Sequence, residues 1–182
     1  MKNRNFVYLI FCCCLLISGC STEFPVSADF AEDNLASSSL RVTGAMQVSG
    51  IGFFDEADEC DFASQGATYG ITMTGDLEGC LYVFIDTYRC TPSGVYLEEG
   101  RELFIGTYKG GTGSFWTAYK FEAKYEGCAE DGSYLGLEIL GRCQHPIVEG
   151  SGEGVFAGVS GRLDMKDDID AGNYPYRGHF KF

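Results

Sequence analysis

The stretch Gly150-Ser-Gly-Glu-Gly-Val-Phe-Ala-Gly-Val-Ser-Gly-Arg-Leu-Asp-Met-Lys-Asp167 places five glycines within twelve residues, with Val155 and Phe156 between them. Glycine serves where φ must be positive or where two backbones approach closely. The run therefore reads as a tight corner that feeds an outgoing strand over 161–166. It satisfies a GxGxxG/A spacing at Gly152–Ala157. A dinucleotide fingerprint, however, needs a strand before it and a long helix after it. No helical periodicity follows, so the glycines read as a structural turn.

Outward from this corner the same texture recurs. Short runs of alternating apolar and polar residues are separated by turn residues, which is the signature of strands. Strands are expected at 40–50, 67–75, 80–89, 102–109, 114–125, 134–145, 161–166 and 174–182. The 25 glycines and 14% aromatic content suit turns and strands respectively. Eight strands with mostly short connections predict an all-β, antiparallel, up-and-down meander. A meander of this length protects its edges by closing into a barrel, with a two-sheet sandwich as the alternative. An eight-stranded lumen is filled by side chains or holds one small ligand.

The chain opens with a short cationic segment, Met1–Asn5, followed by twelve apolar residues at 6–17. That length suits a signal-peptide core and falls short of the ~20 residues of a spanning helix. Ile17-Ser18-Gly19-Cys20 then resembles a bacterial lipobox. The resemblance implies cleavage before Cys20, its lipidation and anchoring to a membrane, and Ser21 in the next position favours the outer membrane. The expected organisation is a leader at 1–19, a tether at 20–39 ending in three serines, and a barrel domain at 40–182. Losing Lys2 and Arg4 with the leader takes the formal charge from −13 to −15. Such a surface repels nucleic acid.

Of nine cysteines, five follow the lipobox: Cys60, Cys80, Cys90, Cys128 and Cys143. In an oxidising envelope these read as at most two disulfides and one remaining thiol. Neither a CxxC pair nor a surplus of histidines supports zinc. In an up-and-down meander the loops carrying Cys60, Cys90 and Cys128 emerge on one side, while Cys80 opens its strand at the other. A Cys80–Cys90 bridge is excluded along one straight strand, since ten steps span roughly 33 Å against about 7 Å allowed. A pair among Cys60, Cys90 and Cys128 is expected.

The segments Glu102-Leu-Phe-Ile-Gly-Thr-Tyr108, Gly113-Ser-Phe115, Gly141-Arg-Cys-Gln-His-Pro-Ile-Val-Glu-Gly-Ser-Gly152 and Phe156-Ala-Gly-Val-Ser-Gly-Arg-Leu163 resemble the C-terminal half of the allene oxide cyclase-like and dirigent-like barrels. The resemblance covers about residues 97–182. It implies a barrel, a cyclase or a coupling-guiding function without a redox centre, and a trimer. The catalytic carboxylate of those cyclases has no matching position, so no catalytic residue carries over.

Alternation assigns faces. On 114–125 the apolar set is Phe115, Thr117, Tyr119, Phe121 and Ala123. On 134–145 it is Leu135, Leu137, Ile139, Gly141 and Cys143. Phe115, Tyr119, Phe121, Leu137 and Ile139 are thus the expected contacts of a small apolar or aromatic ligand in the lumen. These two inner faces carry no carboxylate, which argues against acid–base catalysis. His145 reads as a strand-end residue, and the acidic segment 55–61 as a solvated loop without calcium-loop spacing. No metal or cofactor is expected. Tyr82, Phe84, Tyr88, Phe104 and Tyr108 remain for the outer wall as a self-association face. The expected function is a membrane-anchored, non-catalytic binding or structural module. The alternatives are an isomerase acting in the lumen and an interaction module acting through the outer face.

Overall fold

A computed structural model describes residues 45–182. Residues 1–44, and with them Cys20, the tether and the start of the first expected strand, lie outside the described residues. The strands are β1 (Met46–Phe54), β2 (Tyr69–Gly75), β3 (Leu77–Cys90), β4 (Val95–Tyr108), β5 (Gly111–Cys128), β6 (Tyr134–Pro146), β7 (Glu153–Gly154), β8 (Ser160–Lys166) and β9 (Tyr174–Lys181). All pairings are antiparallel. Each long strand pairs with the next, and β9 returns to β1, so an up-and-down meander closes into an eight-stranded barrel. The two-residue β7 is an extra strand on β5.

Local chemistry sets the hairpins. β4 turns into β5 through Lys109 and Gly110, both with positive φ (49° and 79°). That is the type I′ geometry whose twist matches a hairpin. Where β2 turns into β3, the Asp76 carboxylate accepts from the Ser49 backbone N–H at 2.7 Å. Tyr176 of β9 reaches the same turn from inside: its hydroxyl accepts from Leu77 N at 2.9 Å and donates to Thr74 O at 3.0 Å.

The glycine-rich corner quoted above closes one end of the barrel. β7 lies so close to β5 that a Cβ on Gly154 would strike the Thr112 carbonyl. This delivers Phe156, wholly buried, into a cluster with Phe104, Phe115, Tyr108 and Phe180. Phe156 meets Phe115 edge-to-face at 4.9 Å between centroids. Offset and edge-on contacts of this kind add to area burial. Leu77, Leu81, Val48 and Val159 complete this apolar plug.

On β4 and β6 the strand bounds and faces differ from expectation. β4 begins at Val95, not 102, so 95–100 is strand rather than loop. Its inward face is Tyr96, Glu98, Gly100, Glu102, Phe104 and Tyr108. Phe104 (0% exposed) and Tyr108 (4%) are therefore core residues, not an outer face. Leu103 and Ile105 point outward instead, which is unremarkable for a surface that is largely apolar in any protein. On β6, Ile139 is an extra residue: Lys124 pairs with Leu140 and Tyr125 with Glu138. A bulge of this kind reverses the alternation beyond it. Leu137 (74% exposed) and Ile139 lie outside, while Glu138 faces in.

The disulfides are Cys60–Cys80 and Cys90–Cys128, with Cα separations of 5.7 and 5.5 Å, and Cys143 is a buried free thiol. The second bridge is a pair from the expected set of three. The first corrects the placement of Cys80. β3 starts three residues before it, and the segment after β1 folds back over the outer wall. Asp55 holds that segment, accepting from Glu59 N at 2.9 Å and Cys60 N at 2.8 Å. Asp55 is itself buried, so the acidic stretch is more than a solvated loop. Tyr82 is buried. Phe84 packs tilted against Trp116 (5.6 Å) with Arg101 over both rings, and Tyr88 is exposed at the rim. The expected self-association face is thereby broken up.

Candidate functional site

Beyond the apolar plug the barrel is not filled. A cavity of about 380 Å³ occupies the half of the lumen towards the β3–β4, β5–β6 and β8–β9 connections. Its lining includes Tyr69, Ile71, Tyr96, Glu98, Glu102, Tyr119, Phe121, Tyr125, Tyr134, Glu138, Cys143, His145, Met165, Asp167 and Tyr174. Wider grooves run along the outside, one of about 530 Å³. In that groove Lys120 is already paired with Glu99 and Arg142 with Glu122. Such exposed pairs contribute little. The lumen is where unspent chemistry converges.

The floor is built by β4, β5 and β6. Glu102 and Thr117 are cross-strand partners, and Thr117 Oγ1 donates to Glu102 Oε2 at 2.5 Å. His145, 2% exposed, donates from Nδ1 to the same oxygen at 2.5 Å. Since Oε2 accepts from both, the imidazole is held with Nε2 free of that bond. Nε2 is buried and has no hydrogen-bond partner. A carboxylate that fixes an imidazole in this way sets both its tautomer and its direction. The Tyr119 ring stacks over His145 at 6.3 Å.

One step up, Glu98 accepts from Tyr96 at 2.7 Å and from Tyr119 at 2.8 Å. Tyr119 fits because its cross-strand partner is Gly100, where a Cβ would meet the Tyr119 ring. Burial, reinforced by Glu98, pushes the Tyr96 and Tyr119 phenols well up, so they remain donors. At the mouth Tyr125 donates to Glu138 at 3.2 Å, and burial again raises its phenol, with Glu138 adding to the effect. Glu138 and Asp167 converge over Gly141, where a Cβ would collide with both carboxyl groups. Burial, then the hydrogen bond with Glu138, pushes the Asp167 carboxyl up to about 7. Burial also raises the Cys143 thiol, with Glu102 second.

Compared with protein-family models, curated proteins and solved structures, the chain matches none.

Among the expected ligand contacts, Tyr119 and Phe121 line the cavity. Phe115 lies below it in the plug, and Leu137 and Ile139 stand outside the wall. The expectation that the inner faces of 114–125 and 134–145 carry no carboxylate is overturned by Glu138, and Glu98, Glu102 and Asp167 join it in the lumen from other segments. His145 is a buried, oriented group rather than a plain strand end. A sequence signal for the floor exists in Tyr96-x-Glu98-x-Gly100-x-Glu102-x-Phe104-x-Gly106-x-Tyr108, an alternating face of aromatics, glycines and glutamates. Among the described residues no group of three or more His, Cys, Asp or Glu side chains is arranged to hold a metal ion.

Proposed function

We propose that the protein is a membrane-anchored binding module whose barrel encloses one small molecule, with the lipid carried on Cys20. The observation that carries the reading is the division of the lumen. One half is packed solid with phenylalanines, while the other keeps an aromatic-walled cavity of about 380 Å³ over a buried, unpartnered His145 Nε2. Ligand sites are mainly apolar concavities with a few convergent polar groups, and leaving a buried polar atom unpaired has a cost that a ligand can relieve. The ligand has an aromatic or apolar body for Tyr119 and Phe121, and polar groups for the floor. Two acyl chains suffice for stable anchoring, which keeps such a module at the envelope. Thermal-shift and tyrosine-fluorescence titrations with small aromatic compounds test the reading. A saturable response lost on filling the cavity, as in Phe121→Trp, supports it, and the absence of any response retires it. Mass spectrometry of the mature N-terminus tests lipidation at Cys20.

A second reading is favoured by one observation, the Glu102–His145 pair. A carboxylate-oriented imidazole facing the lumen is suited to moving a proton. With the resemblance to allene oxide cyclase-like barrels, it supports an isomerase in which His145 Nε2 is the base. Turnover of a ligand that survives Tyr82→Phe on the outer wall but not His145→Gln would select this reading over simple binding.

A further inference from the structure

We infer that the lumen is built for an organic cation, an amine or ammonium group carried on an aromatic or apolar body. The inference rests on the reading of the lumen as a binding site and specifies its ligand. Its basis is an inventory of donors and acceptors. The hydroxyls of Tyr96 and Tyr119 are spent on Glu98, that of Tyr125 on Glu138 and that of Thr117 on Glu102. What remains for a ligand is the hydroxyls of Tyr69, Tyr134 and Tyr174 at the wall and a set of buried acceptors. His145 Nε2 is unpartnered on a side chain 2% exposed, and Glu138 Oε1 is buried with no donor from outside the Glu138–Asp167 carboxyl pair. A carboxylate offers about four lone-pair sites, so Glu98 keeps capacity beyond its two tyrosines.

Charge points the same way. Four carboxyl groups line the cavity, and among the described residues no lysine or arginine does. An anionic ligand would face uncompensated repulsion in a low-dielectric enclosure. A neutral apolar ligand would displace water from Nε2 and Oε1 and leave both unpaired. A cation donates to these acceptors and is drawn to the faces of the surrounding rings, since ring quadrupoles attract positive charge. An acidic, aromatic-walled enclosure without a lysine or arginine is therefore selective by sign before any contact is specific.

Isothermal titration of the full-length protein in non-ionic detergent at neutral pH separates the outcomes. 2-Phenylethylamine is compared with its neutral near-isostere 2-phenylethanol. The amine is expected to bind about tenfold tighter or more, the scale of one desolvated cation–π contact with a charged acceptor. Glu98→Gln should reduce that ratio towards one, weakening the amine more than the alcohol. Should this variant fail to fold, Glu138→Gln at the mouth provides the same readout. Equal or tighter binding of the alcohol overturns the cation inference and leaves the binding lumen standing. Binding of neither compound up to millimolar concentration overturns both.

Discussion

Glu102 and His145, 43 residues apart in the chain, meet at 2.5 Å across the interior of the barrel, both almost wholly out of solvent. Neither is tolerated inside alone. A buried polar group is retained when its hydrogen bonds are made, and removing one partner leaves the other desolvated and unpaired. Glu102→Ala is therefore expected to destabilise the domain by about 3 kcal/mol or more. Glu102→Gln keeps an acceptor for Thr117 and costs less. Replacing Glu102 and His145 together with leucine and phenylalanine should cost less than Glu102→Ala alone. Urea unfolding of the three variants measures this, and a double variant less stable than Glu102→Ala would mean the pair is not coupled.

The two disulfides close segments of 20 and 38 residues. By the chain-entropy argument each stabilises by roughly 3–4 kcal/mol. Cys90→Ser with Cys128→Ser opens the mouth, where the bridge joins the end of β3 to the end of β5. Cys60→Ser with Cys80→Ser releases the segment that folds over the outer wall. Both should lower Tm by on the order of 10 °C. Peptide mapping without reduction should recover these two links and an unlinked Cys143, and a Cys143 disulfide would contradict the structure.

The mouth is pH-sensitive through Asp167. Facing it are Glu138 and Cys143 from β6, Tyr125 from β5, Tyr134 and Tyr174. The folded Asp167 carboxyl titrates at about 7, against 3.8 for an ordinary aspartate. Its native state therefore holds a proton that the unfolded chain has released between these values. Stability from this group is present at low pH, declines as pH rises from about 4 to about 7, and is absent above. Asp167→Asn should flatten the fall in urea midpoint between pH 5 and 8 and raise the midpoint at pH 8. An unchanged slope in this variant would assign the pH dependence elsewhere.

Tyr176 ties β9 to the β2–β3 turn with a single hydroxyl that both accepts and donates. Tyr176→Phe keeps the packing and strands the buried Leu77 N–H. A loss of about 1–3 kcal/mol follows, readable as a lower urea midpoint with an unchanged m-value. In hydrogen exchange, the amide of Leu77 should lose protection more than its neighbours in β3.

The fold was legible because barrels advertise themselves locally. Alternation over 114–125, the turn residues between runs and the Gly150–Gly161 corner each depend on residues adjacent in the chain, and the strands appear where those signals lie. The inner face of β5 follows directly from its alternation, since Phe115, Tyr119 and Ala123 are buried as period two requires. The parity of the five cysteines likewise required one unpaired thiol.

The candidate site was not legible, for two physical reasons. A period of two says that faces differ but not which face is inside. On β4 both candidate faces carry apolar residues, and the lumen took the one with Phe104 and Tyr108, which brought Glu98 and Glu102 in with them. A bulge is invisible in the pattern it interrupts, so Ile139 silently exchanged Leu137 for Glu138 at the mouth. The partners that make these buried acids tolerable come from other strands: Thr117 and Tyr119 from β5, His145 from β6. The Cys60–Cys80 link depended in the same way on a loop folding back over the outer wall. Sequence alone pointed to the strands and their up-and-down order, because those rest on neighbours along the chain, and left closure into a barrel open against a sandwich until β9 was seen to pair with β1. Only the tertiary structure decided which carboxylates are buried and what they hold, because burial is settled by residues brought together from distant strands.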